Sequence, residues 1–415
     1  MKQQNNMKKI LALSALGCLL GATSVQAQKD IYLTGSTAFR SSAFFAVSNL
    51  YGAGLTSKNS GAATFDPTAN RWTCSGTMSS VTGFGSSVVT IHANFNGSVQ
   101  GIHMLFDPTD KGVYLKNATL ADTVLTTNTA TLAFSDVDSA STAYPLNASS
   151  FIERQVALQP FAYVRSLNCP ATVTNITIQQ LQQFMPNGVV KLSYLTGNTN
   201  DAGTNVYLLN RSLDSGTRVT AYADALLNIS SPTIYYWQTN GGVANYYLAT
   251  NNLGPSRYGY GYVGGGDVKA QLNAGGAANA NNIAIGYVGL SDARGVNSGQ
   301  NILSYNGAYP STDIKTGSTV PLLPLYDSSR NGQYSYWAYE ILAQPKTPGG
   351  DNTINATDIL AFSRKLSGYD TANPENFVAG TGSIDDDIRV LTTRNAIRLG
   401  DMNVLRTSVG GPIAP

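Results

Sequence analysis

A cation, hydroxyl groups and a glycine lie close together at residues 211–217, in the order Arg-Ser-Leu-Asp-Ser-Gly-Thr. The sequence predicts a helix directly after this segment, over residues 218–228. The backbone N–H groups of a first helical turn have no intrahelical acceptor and carry the positive end of the helix dipole. Together with the guanidinium of Arg211 and the hydroxyls of Ser215 and Thr217, they could hold an oxyanion. An ordinary helix cap is the alternative for this segment taken alone.

A short apolar strand followed by a polar turn occurs three more times in the chain. Residues 31–33 lead into Thr34-Gly35-Ser36-Thr37 and a helical spacing over residues 38–51; residues 87–95 precede the turn 96–101; residues 131–134 end at Ser135 and Asp136. Strands that alternate with helices predict an open α/β sheet. Because ligands of such sheets bind at the carboxyl ends of the strands, these polar turns are candidate ligand residues.

The rest of the chain predicts further strands and helices of the same kind. A second group of strands is expected at residues 161–164, 206–209 and 283–288, with a crossover at 321–325. Helices are expected at residues 177–184, where Pro186 and Gly188 end the helix, and at residues 334–342, 356–366 and 386–399.

The first 27 residues have the features of a secretory signal peptide. Lys2, Lys8 and Lys9 precede an apolar run over residues 10–20, and Val-Gln-Ala ends the segment at residue 27. We therefore expect a bacterial protein that is periplasmic or secreted and keeps no membrane span after cleavage. Lipidation at Cys18 is an alternative, although the residues before it fit a lipobox poorly.

The composition disfavours several other classes of site. Charged residues make up only 12% of the 415 residues and the net charge is +2, so no surface for nucleic acid is predicted. His92 and His103 are the only histidines, which disfavours a zinc site or a Ser-His-Asp triad. The glycine pattern of residues 259–264 has no clear strand before it, which disfavours dinucleotide binding. We expect neither a cofactor nor a metal, and no catalytic residue.

Two cysteines remain after signal cleavage. Cys74 and Cys169 could form a disulfide in an exported protein, or they could be two separate buried thiols. The sequence leaves both alternatives open.

Taken in order, the polar turns resemble those of the phosphate-binding proteins of phosphate ABC importers, which have the type II periplasmic-binding-protein fold. The matching segments are residues 34–38, 97–101, 134–136, 211–217 and 285–288. The resemblance is that of a diverged member. It implies two α/β lobes, each a mixed sheet flanked by helices, joined by two crossovers and closing on the anion. Residues 28–160 and 321–415 would form lobe I, and residues 161–320 lobe II.

The resemblance also implies a set of ligand residues and partners. The protein would be a monomer that binds inorganic phosphate and delivers it to an ABC permease. Its phosphate-binding residues would be Ser36, Thr37, Ser98, Asp136, Arg211, Ser215, Gly216 and Thr217.

Asp136 would select among oxyanions. Phosphate near neutral pH still carries a proton that a carboxylate can accept, whereas sulfate carries none. Asp136 should therefore favour phosphate or arsenate over sulfate. A structural role for Asp136, as the cap of a turn or helix, is the alternative.

One position departs from the pattern of the family. An aspartate commonly follows the arginine by two positions and orients it, but here that position is Leu213. The orientation of Arg211 is therefore an open question at the level of sequence.

Two functions of different classes follow. The first is an exported solute-binding protein that captures phosphate, or a related tetrahedral oxyanion, between its lobes for an ABC permease. The second is a structural or adhesive surface protein that retains this fold and uses its Tyr- and Asn-rich stretch, residues 231–282, for partners.

Overall fold

The computed structural model describes most of the chain, with gaps. The described residues are 28–142, 150–230, 235–240, 243–248, 261–274, 283–313, 325–346, 354–368, 384, 396–406, 408–411 and 413–414. The predicted signal peptide, Cys18, the 321–324 part of the predicted crossover and most of the predicted helix 386–399 lie outside these ranges, as does about half of the Tyr-rich stretch.

Strands and helices alternate along much of the chain. The strands are β1 Lys29–Gly35, β2 Leu55–Asn59, β3 Arg71–Thr77, β4 Val88–Asn94, β5 Gly112–Leu115, β6 Leu125–Asn128, β7 Leu132–Ser135, β8 Phe151–Arg165, β9 Asn175–Ile176, β10 Val189–Lys191, β11 Asn205–Leu209, β12 Tyr235–Asn240, β13 Val243–Leu248, β14 Ile283–Gly289, β15 Ser304–Tyr305, β16 Trp337–Pro345, β17 Leu405–Arg406 and β18 Ile413–Ala414. The α-helices are α1 Arg40–Tyr51, α2 Ser98–Phe106, α3 Ile178–Asn187, α4 Leu192–Thr196, α5 Gly216–Asp224, α6 Gly265–Ala274, α7 Leu290–Arg294, α8 Asp327–Arg330 and α9 Ala356–Ser367.

Ten strands form one mixed sheet, in the order β10-β11-β14-β8-β16-β7-β1-β4-β3-β2. In one half, β1 is parallel to both β4 and β7. In the other half, β11 is parallel to β14. The two long central strands β8 and β16 are antiparallel to each other and join the halves. This is the predicted α/β architecture of two lobes joined by crossovers.

Strand β8 changes partner along its length. Its residues up to Pro160 pair with β16, and its residues from Phe161 pair with β14. The chain therefore passes from one half of the sheet to the other near Pro160, which is where the sequence predicts a lobe boundary. The full assignment of residues to the two lobes stays a prediction.

Each half of the sheet has its own hydrophobic cluster. The first packs Phe39 of the turn before α1, Trp72 of β3 and Phe362 of α9. The second packs Phe184 of α3 and Tyr222 of α5 against the strands of the other half.

The two cysteines lie in different clusters. Cys74 belongs to the first and Cys169 to the second, and both are buried free thiols. They do not form the disulfide that the sequence left open, because the thiols lie in separate cores; the alternative of two separate thiols is the correct one.

The helix predicted over residues 334–342 is wrong. Residues 337–342 of this segment belong to β16, which lies between β7 and β8. Most of these residues are apolar, and periodicity alone does not distinguish a buried strand from a buried helix. The aromatic residues Trp337 and Tyr339 favour a strand.

Several predicted helix boundaries are confirmed. Thr177 caps α3: its hydroxyl accepts a hydrogen bond from the N–H of Gln180, and the Gln180 side chain accepts one from the N–H of Thr177. Gly188 ends that helix in a left-handed conformation, although Pro186 lies inside it. Within the described ranges, no helix is long and apolar enough to cross a membrane.

Candidate oxyanion site

Three polar turns meet at the carboxyl ends of β1, β4 and β7, which are neighbours in the sheet. Ser36 and Thr37 follow β1, Ser98 is the first residue of α2, and Asp136 follows β7. The N–H of Ser36 donates to the carbonyl of Phe134 at 2.8 Å, which joins the turns after β1 and β7. The predicted residues of this half therefore lie at one edge of the sheet.

The other wall of the site comes from the second half of the sheet. Arg211 follows β11, and α5 begins at Gly216, two residues earlier than predicted. Ser215 caps this helix, because its hydroxyl accepts a hydrogen bond from the N–H of Arg218 at 3.3 Å. Gly216 and Thr217 are the first residues of α5, so their N–H groups have no acceptor within the helix.

The two walls are in direct contact. The N–H of Val99 in α2 donates to the carbonyl of Asp214 at 3.0 Å. A Cβ atom at Gly216 would lie 2.7 Å from Oδ1 of Asp136 and 2.7 Å from Cβ of Ser98. Only glycine fits this approach, and the eight predicted site residues are all buried where the halves meet.

Backbone carbonyls orient Arg211. Its Nε donates to the carbonyl of Tyr262 at 3.2 Å, and its Nη2 donates to the carbonyl of Val263 at 2.8 Å. These two acceptors replace the carboxylate that Leu213 does not provide. Gly261 permits the approach, because a Cβ there would lie 2.5 Å from the carbonyl carbon of Arg211. Within the described part of the glycine pattern, Gly261 thus has a packing role beside Arg211.

Three polar atoms of the predicted site residues are buried without a well-formed hydrogen bond. Within the described part of the chain they are Nη1 of Arg211, Oδ1 of Asp136 and Oγ of Ser36. The remaining carboxylate oxygen of Asp136, Oδ2, accepts from the hydroxyl of Thr217 at 3.2 Å. A buried donor and a buried acceptor left open cost about 1–3 kcal/mol each unless something binds them.

Burial changes the acid-base properties of both charged groups. It raises the pKa of Asp136 to about 6, although Arg211, Thr217 and Ser36 act to lower it. Burial lowers the pKa of Arg211, against the opposing effect of Tyr287 and Asp136. An arginine stays charged at any physiological pH, so the site holds one permanent cation beside an acid that titrates near neutrality.

Sequence reasoning missed a second acid beside the site. Glu340 of β16 is fully buried, and its pKa is raised well above the usual value by burial and by the charge of Asp136. A single acid within the apolar run of residues 336–343 was the available signal, because charged residues are almost never fully buried unless paired.

A buried ion pair between the halves was also missed. Arg40 of α1 and Asp292 of α7 are joined through Nη2 and Oδ1 at 3.0 Å. Lys269 of α6 approaches the same oxygen at 3.5 Å. No local pattern predicts this pair, because its members are 252 residues apart in the chain.

The described residues contain no group of three or more His, Cys, Asp or Glu side chains that could hold a metal ion. His103 contacts Asp110 through Nδ1 at 2.8 Å. His92 stacks on Tyr32 and contacts the carbonyl of Leu115. Neither histidine belongs to the site.

No protein-family model matches the chain, and no curated protein does. Solved structures do align with it. A phosphate ABC transporter substrate-binding protein from Clostridium perfringens, with bound phosphate, is 13% identical, with 89% of this chain and 99% of that chain covered and a TM-score of 0.48.

Two further solved structures are of the same kind. A phosphate-binding protein from Stenotrophomonas maltophilia is 14% identical, with coverage of 89% and 90% and a TM-score of 0.41. An ABC-type phosphate transport receptor from Vibrio cholerae is also 14% identical, with coverage of 81% and 93% and a TM-score of 0.38. These structures carry the names of the class that the polar turns of the sequence resemble.

Proposed function

We propose that the protein is an exported solute-binding protein that captures inorganic phosphate, or a related tetrahedral oxyanion, between its lobes and delivers it to an ABC permease. The observation that carries the proposal is the enclosed pair of open polar atoms, Nη1 of Arg211 and Oδ1 of Asp136, beside the amino end of α5. A ligand for this site must accept hydrogen bonds from a cation and from helix-start amides. It must also offer a proton to a carboxylate.

Protonated phosphate or arsenate meets both requirements. Its unprotonated oxygens would accept from Arg211 and from the N–H groups of Gly216 and Thr217. Its hydroxyl would donate to Asp136. Sulfate lacks that proton and would leave Oδ1 of Asp136 facing an anion, which can cost several kcal/mol in a buried site.

Titration calorimetry of the mature chain with phosphate, arsenate and sulfate tests the proposal. We expect binding of the first two and little or none of sulfate. Absence of phosphate binding at millimolar concentration would refute the oxyanion-binding function and would favour the structural or adhesive alternative.

The role of Arg211 can be tested separately. Arg211→Ala should weaken phosphate binding by about 2 kcal/mol or more, because a charge-assisted hydrogen bond to the anion is lost together with the positive charge of Arg211. Arg211→Lys keeps the charge but loses the planar guanidinium and its two bonds to backbone carbonyls. Its phosphate affinity should lie between those of the wild type and Arg211→Ala. Arg218→Ala is the control, because Arg218 is a buried arginine of α5 that bonds to the carbonyl of Ile229. Equal losses for Ala at positions 211 and 218 would contradict the assignment.

A further inference from the structure

The register of the central sheet places Glu340 beside Asp136. Ile341 of β16 pairs with Ser135 at the end of β7, in antiparallel orientation. Glu340 precedes Ile341 and Asp136 follows Ser135, so the two acids are adjacent across the ladder. On its other side Glu340 is paired with Ala157 of β8, next to an irregularity between Glu340 and Ile341.

The Ser36 hydroxyl approaches the buried carboxyl of Glu340, but without the geometry of a full hydrogen bond. Glu340 is 0% exposed, and neither carboxyl oxygen makes a well-formed hydrogen bond to any residue that the structure describes. An acid kept only for structure would need such bonds, because burial of an unsatisfied polar group is costly. The ladder register places this carboxyl next to Asp136, close enough for the charge of Asp136 to act on it.

We propose that Glu340 is a second specificity-determining acid of the oxyanion site, which binds in its protonated form and donates a hydrogen bond to an oxygen of the ligand while Asp136 accepts one from the ligand's hydroxyl. The inference rests on the proposed function. The inference adds to that function a division of roles between two neighbouring acids, one a hydrogen-bond donor and the other an acceptor. The site would therefore recognise an oxyanion that carries both a proton and unprotonated oxygens.

The groups that face Glu340 support this division of roles. Asp136 reaches it from the end of β7, and the charge of Asp136 acts with burial to raise the pKa of Glu340. The Ser36 hydroxyl, from the end of β1, has the opposite but smaller effect. Arg211, on the facing wall, lowers the pKa of Asp136. Two acids this close do not both ionise readily, and the one next to the cation is the one that does so first.

Two variants test whether Glu340 donates a hydrogen bond to the ligand or has no part in binding. Glu340→Gln keeps a hydrogen-bond donor without an ionisable proton, whereas Glu340→Leu removes the polar group at similar size. At pH 7 we expect the Gln variant to bind phosphate within about threefold of the wild type, and the Leu variant to bind at least about tenfold more weakly, the worth of one hydrogen bond. Thermal unfolding of each variant shows whether it is folded.

The pH dependence gives a second readout. Dissociation constants of wild type and Glu340→Gln are measured between pH 6 and pH 9.5, and their ratio at each pH cancels the titration of phosphate itself. The wild type should lose affinity relative to the Gln variant at the alkaline end, because an ionised Glu340 repels the anion. Glu153→Gln is the control: this β8 acid accepts a hydrogen bond from the N–H of Ser139, and its variant should follow the wild type.

The outcomes distinguish the two proposals. The role of Glu340 would be overturned, and the proposed function kept, by three results together. The wild type binds phosphate, the folded Glu340→Leu variant binds it with unchanged affinity, and the ratio of the wild-type and Glu340→Gln dissociation constants does not change with pH. Wild type that does not bind phosphate would overturn the proposed function, and with it this inference.

Discussion

At the scale of single residues, Asp136 combines burial with proximity to a cation. Its pKa of about 6 in the folded protein lies above the 3.8 of an exposed aspartate. The unfolded chain therefore releases this proton at lower pH than the folded one. The stability of the ligand-free protein should fall as pH rises from about 4 to about 6, by about 3 kcal/mol in total for this group.

Asp136→Asn should consequently stabilise the ligand-free protein at pH 7.5 by about 1–3 kcal/mol, because the amide carries no charge to desolvate. Below pH 4 the gain should vanish, since the wild-type carboxyl is then neutral as well. Urea unfolding at the two pH values measures both differences. An equal difference in the free energy of unfolding at both pH values would contradict the argument that the Asp136 carboxylate is destabilised by its charge.

The same substitution should narrow the preference for phosphate over sulfate. An asparagine can donate to sulfate where the carboxylate repels it, so the ratio of the two affinities should fall by at least about tenfold. Competitive titration of the two anions gives the ratio. An unaltered ratio would return Asp136 to the capping role that the sequence left as an alternative.

At the scale of elements, the strand-turn-helix pattern was predictable because it is local. Helix α1 follows from apolar spacing, and the starts of α3 and α9 follow also from capping residues that act within a few positions. Strand β16 was not predictable in the same way. Its secondary structure depends on the pairing with β7 and β8, whose residues are far away in the sequence.

The segment around Gly261 illustrates an element fixed by its neighbour. It forms a bridge with Arg211, and its carbonyls hold the guanidinium in place. The glycine pattern alone did not indicate this role, because the partner of these carbonyls is about 50 residues away in the chain.

Gly261→Ala should weaken phosphate binding by about 1–3 kcal/mol. A Cβ at this position would lie about 2.6 Å from backbone atoms of Asn210 and Arg211. Relief of this clash would displace the carbonyls that orient the guanidinium. Gly266→Ala is the matched control, since no atom lies within 4 Å of a Cβ there. Calorimetry of both variants tests the difference. Equal affinities would mean that Arg211 does not depend on this loop.

At the scale of the whole molecule, the two halves are in contact through buried polar groups. Asp292 joins α7 to Arg40 of α1, and the N–H of Val99 bonds to the carbonyl of Asp214. We propose that these contacts hold the two halves in a closed arrangement. They contribute to ligand binding only if the protein opens when the ligand leaves, because a ligand can shift a conformational equilibrium only through its differential affinity for the two states.

Asp292→Asn should favour the open arrangement. The substitution keeps the shape of the side chain but removes a charge from a buried pair, so we expect phosphate affinity to fall by about three- to thirtyfold. The radius of gyration in phosphate-free solution should rise, as measured by small-angle X-ray scattering.

Asp327→Asn is the control for this prediction, because the Asp327 side chain of the Asp327–Arg330 pair is half exposed and pairs near the surface contribute little. A phosphate-free radius of gyration that is the same in wild type and in Asp292→Asn would show that the ion pair does not control closure.

The sequence by itself indicated the order of strands, polar turns and helix starts. It could do so because helix caps and strand ends are set by residues close together in the chain. The resemblance of those turns to a known family supplied the eight residues of the candidate site, which stay a prediction. Only the tertiary structure decided that two carbonyls orient Arg211, that Glu340 lies beside Asp136, that the cysteines stay apart and that Arg40 reaches Asp292. Each of these depends on which strands become neighbours in the sheet, and contacts between residues so distant in sequence are fixed by packing rather than by local pattern.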